Sequence, residues 1–291
     1  MSDWNDPELC ADRDRLLDAL RGYGRVAVAF SGGVDSTVVA QAARVALGDA
    51  AVAVTAASES LAAGELEEAE ALAGRIGIAH RVIRTEEFAD PNYTRNNPDR
   101  CYFCKSELYG RLASLLETLG VDAIASGANL DDAGDHRPGM RAAAERGVRH
   151  PLQECGLNKD RVRALARAWG LPTWDKPATP CLSSRIAYGE EVSPERVRMV
   201  DAAEQWLRAR GLRLLRVRYH KGDLARIEVP LEELPALARP EVRDELVKAF
   251  RGLGFKFVTL DLEGFRSGSL NALIPLEILQ LAGRPAAPIA P

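Results

Sequence analysis

Long apolar runs are missing from this chain of 291 residues, and none approaches the length of a membrane span. Its first residues, MSDWNDPELCADRD, are acidic and polar and lack the pattern of a secretion signal. A cytoplasmic protein is the expectation. An excess of positive charge is missing too: 38 Lys and Arg face 42 Asp and Glu, a net charge of −4, which argues against a general nucleic-acid surface. Histidine is scarce, and the four present (His80, His136, His150 and His220) share no ligand spacing, so none is assigned to a metal. No internal repeat is evident. The five cysteines are an odd number in a chain without a secretion signal, which excludes a disulfide framework and leaves reduced thiols, metal ligands or catalytic groups. What remains is an ordinary globular composition, 46% hydrophobic and 27% charged, in a chain long enough for about two domains.

Against that background one motif stands out. Ser31-Gly32-Gly33-Val34-Asp35-Ser36-Thr37 follows the apolar run Arg25–Phe30 and precedes a helix-like segment ending at Leu47. Strand, glycine turn and helix N-terminus together form an anion site: the glycines admit a polyphosphate, the first-turn N–H groups point at it, and Ser31, Ser36 and Thr37 can add hydroxyl donors. The loop has no lysine of the Walker type, which disfavours kinase or GTPase chemistry, and it does not match the dinucleotide pattern Gly-x-Gly-x-x-Gly. It resembles the PP-loop of ATP pyrophosphatases, in which the loop holds the leaving pyrophosphate while a substrate oxygen attacks the α-phosphorus of ATP. That resemblance implies adenylation, with AMP and pyrophosphate as products. A carboxylate beside phosphates repels them unless a cation intervenes, so Asp35 is read as a Mg²⁺ partner.

Strand-like runs at Arg25–Phe30, Ala51–Thr55, His80–Thr85 and Val121–Gly127 alternate with helical patterns at Asp35–Leu47, Gly64–Ile76 and Lys105–Leu119. This succession predicts an α/β fold with a parallel sheet covered on both faces, and ligands beyond the C-terminal strand ends, where the motif, Thr55 and Gly127 lie. Another helix is expected over Asp160–Trp169, then a Pro- and Ser-rich loop over Trp174–Val192. From Ser193, read as the cap of a helix over Pro194–Arg210, a smaller α+β unit begins, with strands at Leu214–Tyr219, Ala225–Val229 and Lys256–Leu262 and a helix at Glu241–Leu253. The expected division is residues 1–190, 191–282 and a disordered tail over 283–291.

Cys101-Tyr-Phe-Cys104 is a CxxC pair with no second pair to complete a structural zinc site. Cys181 lies in the long loop between Lys176 and Arg185, a cationic neighbourhood that favours a thiolate. Three thiolates without a fourth would leave one iron of a [4Fe–4S] cluster open. Cys10 and Cys155 are read as incidental and packed thiols, and core packing is favoured over ligand stacking for Tyr102 and Phe103.

SGGVDST, the run Asn97–Lys105, the stretch Ser126–Gly139, the loop Pro180-Cys181-Leu-Ser-Ser-Arg185 and the run Gly264–Asn271 occur in order over nearly the whole chain. Together they resemble the LarE family of sulfur transferases. The resemblance implies an enzyme that uses ATP and Mg²⁺ to adenylate a carboxylate of pyridinium-3,5-biscarboxylic acid mononucleotide, a precursor of the nickel-pincer nucleotide of lactate racemase. Sulfur then replaces AMP and leaves a thiocarboxylate. It further implies either that Cys181 gives up its own sulfur or that Cys101, Cys104 and Cys181 hold a [4Fe–4S] cluster carrying sulfide; because all three cysteines are present, the cluster is the working hypothesis. Homo-oligomeric assembly, as a hexamer, is suggested by the family alone. Arg216 and Arg218 alternate along a strand, so one face carries both, available either to a substrate phosphate or to solvent. Arg185 is a candidate for a substrate carboxylate or phosphate. Asn129, Asp131, Asp132 and Asp135 suit either Mg²⁺ or helix capping. The rival readings are a PP-loop tRNA thiolase, an amide-forming NAD or GMP synthetase, and a non-catalytic sensor that binds ATP and a cluster.

Overall fold

The computed structural model describes residues 4–134, 138–266 and 268–273. Asp135, His136, Ser267 and the expected tail over 283–291 lie outside the described residues. In the first part of the chain α1 (Pro7–Arg21), β1 (Val26–Ala29), α2 (Val34–Leu47), β2 (Ala51–Ala57), α3 (Glu65–Ile76), β3 (Ala79–Arg84), the single turn α4 (Pro91–Thr94), α5 (Arg100–Leu119), β4 (Ala123–Ala125), α6 (Pro138–Glu145), the single turn α7 (Pro151–Glu154) and α8 (Lys159–Ala168) follow one another. Four strands form a wholly parallel sheet in the order β3-β2-β1-β4. The α/β architecture expected from the alternating pattern is what forms. One face is covered by α1, α2 and α8 through Leu16, Leu20, Val38, Val39 and Leu165; the other is covered by α5 and α6 through Leu108, Leu112 and Ala142. Ala40, Ala42 and Ala43 are fully buried on α2, so that helix packs closely on its neighbours, and the loop before it is held on a rigid element.

The second part consists of α9 (Pro194–Arg208), β5 (Arg216–His220), β6 (Leu224–Glu228), the short α10 (Leu234–Ala238), α11 (Pro240–Gly252) and β7 (Phe257–Leu260). Here β5 and β6 are antiparallel, while β6 and β7 are parallel with α11 as the crossover. Ser193 caps α9 by accepting from the Arg196 amide, with Pro194 at the first helical position, as expected. The core of this part also takes in Tyr93, Leu182 and Ile186, and Ile186 bridges to Tyr219 of β5. The cysteine loop is therefore packed on the second sheet, although it precedes the unit that contains that sheet.

Besides the short helices α4, α6, α7 and α10, three elements depart from the sequence reading. Helix α1 was not anticipated; Asp6 caps it and Leu9, Leu16, Leu17 and Leu20 bury one face. Helix α5 starts at Arg100 rather than Lys105, because an Asn97–Asp99 turn already hands its carbonyls to Arg100 and Tyr102. The CxxC therefore lies in a helical first turn, with its cysteines on one face. Strand β4 is three residues long, and Ser126 leaves the ladder to bond the Arg149 carbonyl, which turns Gly127 toward the glycine loop.

Candidate active site

The glycine loop joins the end of β1 to α2. Gly32 has φ of +68°, a conformation only glycine adopts cheaply, and Gly33 caps α2 with no side-chain partner. The first-turn N–H groups of this helix have no intrahelical acceptor, as an anion cradle requires. The hydroxyls behave differently from expectation. Ser36 Oγ and Thr37 Oγ1 donate to the Gly33 carbonyl at 3.1 and 2.8 Å, and Ser31 Oγ lies 3.1 Å from Ser36 Oγ, so these groups brace the turn. Thr55, 2% exposed, donates to the Phe30 carbonyl at 2.8 Å and meets His80 Nε2 at 2.8 Å. It fixes the strand end below the loop and is not open to a nucleotide, a correction to the expected contact. Gly127 is needed for packing: a Cβ there would lie 2.7 Å from the Ser36 nitrogen and 3.0 Å from the Asp35 carbonyl carbon.

Asp35 is held from two directions. Asn129 Nδ2 donates to Oδ1 at 3.0 Å and the Lys159 ammonium contacts Oδ2. Asn129, 3% exposed, is in turn fixed by the Asp131 amide, by Asp132 and by Gln153. Asp131 accepts from the Lys159 amide at the start of α8 at 2.9 Å, and Asp132 accepts from the Asn129 amide at 3.0 Å. Of the two readings of that acidic cluster, capping is the one these two carboxylates fulfil. Lys159 escaped the sequence reading because it lies far along the chain in no motif.

Cys101, partly buried Cys104 and Cys181 share a neighbourhood without being bonded. The ionised forms of Tyr109, Cys104, Cys101 and Cys181 raise Lys105 against desolvation. Burial pushes the Cys104 thiol up to about 12, opposed by Lys105 and reinforced by Cys181. Burial lowers Arg100, which is 4% exposed, but Cys181, Cys101, Tyr93 and Tyr188 together leave it raised. The cations beside the thiols are thus Arg100 and Lys105. Arg185, expected there from its position near Cys181, is fully buried: its Nε is 3.0 Å from Glu204 Oε1, and its Nη1 donates to the carbonyls of Pro180 and Cys181. This corrects its expected role as a ligand contact, since the guanidinium holds the loop that carries the cysteine.

A second brace ties the CxxC helix to the same loop. Asn96, fully buried with φ of +56°, donates from Nδ2 to the carbonyls of Ile186, Ala187 and Glu190 at 2.9 to 3.2 Å. Arg100 donates to Asn96 Oδ1 and, at 2.8 Å, to the Ser183 carbonyl, while the Tyr93 hydroxyl meets Ser183 Oγ at 2.6 Å. Nothing in the local sequence signals Asn96 beyond its tolerance of the left-handed region.

Beyond the cysteine loop lies a cavity of about 380 Å³ whose walls include Ala178, Pro180, Ser184, Arg216, Arg218 and Phe265. Arg216 and Arg218 are 8% and 6% exposed, so they occupy this cavity and not a solvated face. Arg218 is neutralised by Glu228 at 3.0 Å. Arg216 donates only to the carbonyls of Leu215 and Ala178 and forms no ion pair among the described residues. Burial, with the like charges of Arg185 and Arg218, lowers it to about 10, still protonated at neutral pH. A buried cation without a bonded carboxylate is a candidate anion subsite.

Residues 13–98 match the family model described as asparagine synthase. A pyridinium-3,5-bisthiocarboxylic acid mononucleotide synthase of Lactiplantibacillus plantarum is 39% identical over 264 residues, covering 90% of this chain and 95% of that protein. The chain belongs to the LarE family. An uncharacterized protein of Synechocystis is 50% identical over 250 residues, 86% of this chain and 93% of its own. A tRNA-specific 2-thiouridylase of Caulobacter is 31% identical over 193 residues, about half of each chain, and so shares less of the LarE frame. As a LarE-family protein with this loop, the chain is an ATP-dependent, sulfur-transferring enzyme. Among the described residues no helix is long and apolar enough to cross a membrane.

Proposed function

We propose that the enzyme adenylates a carboxylate of pyridinium-3,5-biscarboxylic acid mononucleotide and replaces AMP with sulfur, yielding a thiocarboxylate for nickel-pincer cofactor synthesis. One observation carries this reading. The segment bearing Cys181 touches the glycine loop at one end, through Lys176 and the Gly32 carbonyl, and lines the arginine cavity at the other. Residues 1–190 supply the nucleotide site: Gly32, Gly33, Val34 and Asp35 would surround the phosphates, with Ser31, Ser36 and Thr37 bracing the turn, and Asp35, now held by Asn129 and Lys159, would hold Mg²⁺. Residues 191–282 supply Arg216 for the substrate's phosphate or second carboxylate, with Arg218 beside it already paired to Glu228. Attack of the free carboxylate on the α-phosphorus expels pyrophosphate, and the acyl-adenylate then presents its carbonyl carbon to the sulfur donor.

The donor set for a [4Fe–4S] cluster is Cys101, Cys104 and Cys181, and its chemistry fits: three unbonded cysteines with two cations, Arg100 and Lys105, close enough to interact with them. Among the described residues no three side chains stand close enough to grip a single ion, whereas a four-iron cluster takes its ligands on separate irons. When bound, it would supply a sulfide for transfer and spare the sulfur of Cys181. Asn96, Arg100 and Arg185 hold the two cysteine-bearing segments in register for either donor. The reading places the enzyme in the cytoplasm as a homo-oligomer.

The test combines protein, ATP and Mg²⁺ with the dicarboxylate mononucleotide. AMP and pyrophosphate release must depend on that substrate, and mass spectrometry must show a thiocarboxylate. Substrate-independent turnover, or thiolation of tRNA instead, overturns the reading. Intact mass decides the donor: a Cys181 that loses sulfur was consumed, and an unchanged chain was supplied from elsewhere.

A further inference from the structure

The glycine loop carries no lysine, yet a lysine reaches it from the cysteine loop. Lys176 Nζ lies 3.5 Å from the Gly32 carbonyl oxygen and 2.7 Å from Glu68 Oε2 on α3. Neither partner holds this half-buried ammonium firmly: Glu68 is 61% exposed and the carbonyl contact is long. An ion pair with so exposed a partner contributes little, so the ammonium is easily won by a stronger anion. The backbone around it is fixed. Arg163 donates to the carbonyls of Trp174 and Lys176 at 2.5 and 3.0 Å, and the Lys176 amide donates to Thr173 at 3.1 Å. The four-carbon stem can swing, and the exposed residues 177–180 beyond these tethers can shift with it.

The residues that follow are fastened to the second sheet. Arg216 donates to the Ala178 carbonyl at 2.8 Å and Arg185 to those of Pro180 and Cys181. Residues 174–181 therefore form a strap, anchored near the phosphate loop at one end and over the substrate cavity at the other.

We propose that Lys176 is the lysine the loop itself lacks: it leaves Glu68 to bind the pyrophosphate of ATP at Gly32 and Gly33, so that phosphate occupancy sets the position of the strap and of Cys181. This rests on the ATP-splitting reading above and adds to it a binding residue and a coupling. The Glu68 contact is the resting position, and the phosphate contact the loaded one.

Calorimetry with magnesium pyrophosphate on wild type, Lys176→Ala, Lys176→Arg and Glu68→Gln tests the first part. Loss of a charge-assisted phosphate contact weakens binding roughly ten- to hundredfold in Lys176→Ala. Lys176→Arg keeps most of the affinity, and Glu68→Gln, which removes the competing anion, tightens it. Alkylation of Cys181 followed by peptide mass, with Cys10 as internal reference, tests the coupling. Saturating pyrophosphate alters the Cys181 rate in wild type and leaves it unaltered in Lys176→Ala. Equal pyrophosphate affinity in wild type and Lys176→Ala overturns the assignment, as does a wild-type Cys181 rate insensitive to pyrophosphate. The two readings fail differently: if wild type neither binds pyrophosphate nor forms AMP, the ATP-splitting function itself is wrong.

Discussion

Replacing Arg185 with leucine separates the two roles this arginine can have. In the structure both Arg185 and Glu204 are fully buried, with Nε 3.0 Å from Oε1 and Nη2 3.4 Å from Oε2. Glu204 also accepts from the Val217 amide at 3.1 Å and from Arg208 at 2.8 Å, so it joins the cysteine loop, α9 and β5. Breaking a buried pair by removing one member costs about 3–5 kcal/mol, because a charge stays behind. Arg208 remains to share that charge, which places the expected loss near the lower limit, about 3 kcal/mol. In a protein of this size, at about 2–4 °C per kcal/mol, the melting temperature falls by roughly 6–12 °C. A double variant, Arg185→Leu with Glu204→Leu, removes both charges and recovers part of the loss. Thermal and urea unfolding followed by circular dichroism measure both. An Arg185→Leu protein that melts within about 2 °C of wild type, less than 1 kcal/mol at that conversion, while losing substrate affinity would refute the structural argument and return Arg185 to the ligand.

Asn96→Ala leaves three carbonyls of the cysteine loop without their donor and puts alanine at φ of +56°, so a loss of about 3 kcal/mol is expected in urea unfolding; Asn96→Gly, free of the conformational cost, loses less. Gly127→Ala forces a methyl against the start of α2, so KM for ATP rises more than stability falls, the latter by about 1–3 kcal/mol; unchanged ATP kinetics would contradict the close approach. Glu154 is lowered from 4.5 to about 2 by its hydrogen bond to Arg149 and, after that, by those from Tyr23 and the His150 amide. A carboxyl depressed on folding contributes stability that is full above its unfolded value and is lost as pH falls through the folded one. The stability gap between wild type and Glu154→Gln, read from urea midpoints, therefore narrows as pH falls from 4.5 toward 2; a gap that widens contradicts the assignment.

What was legible in the sequence was local. SGGVDST could be read because a strand, a left-handed glycine and a helix start are neighbours along the chain, and the four parallel strands could be read from their apolar runs. The partners of charged groups could not, because they come from afar: Lys159 reaches Asp35 across 124 positions, and the Asn96 brace spans 90. Sequence neighbourhood even misled. Arg185 and Lys176 flank Cys181 along the chain, but the first is bound to Glu204 and the second leans on Glu68, while Arg100 and Lys105 lie by the thiols. Once every charge is followed to its partner, the arginines of the site sort themselves. Arg185 and Arg218 have buried carboxylates and are complete without a ligand; Arg216 has backbone carbonyls and a cavity. A fold that buries a guanidinium without neutralising it gives up stability unless another anion arrives, and under the proposed function the substrate brings one to this cavity.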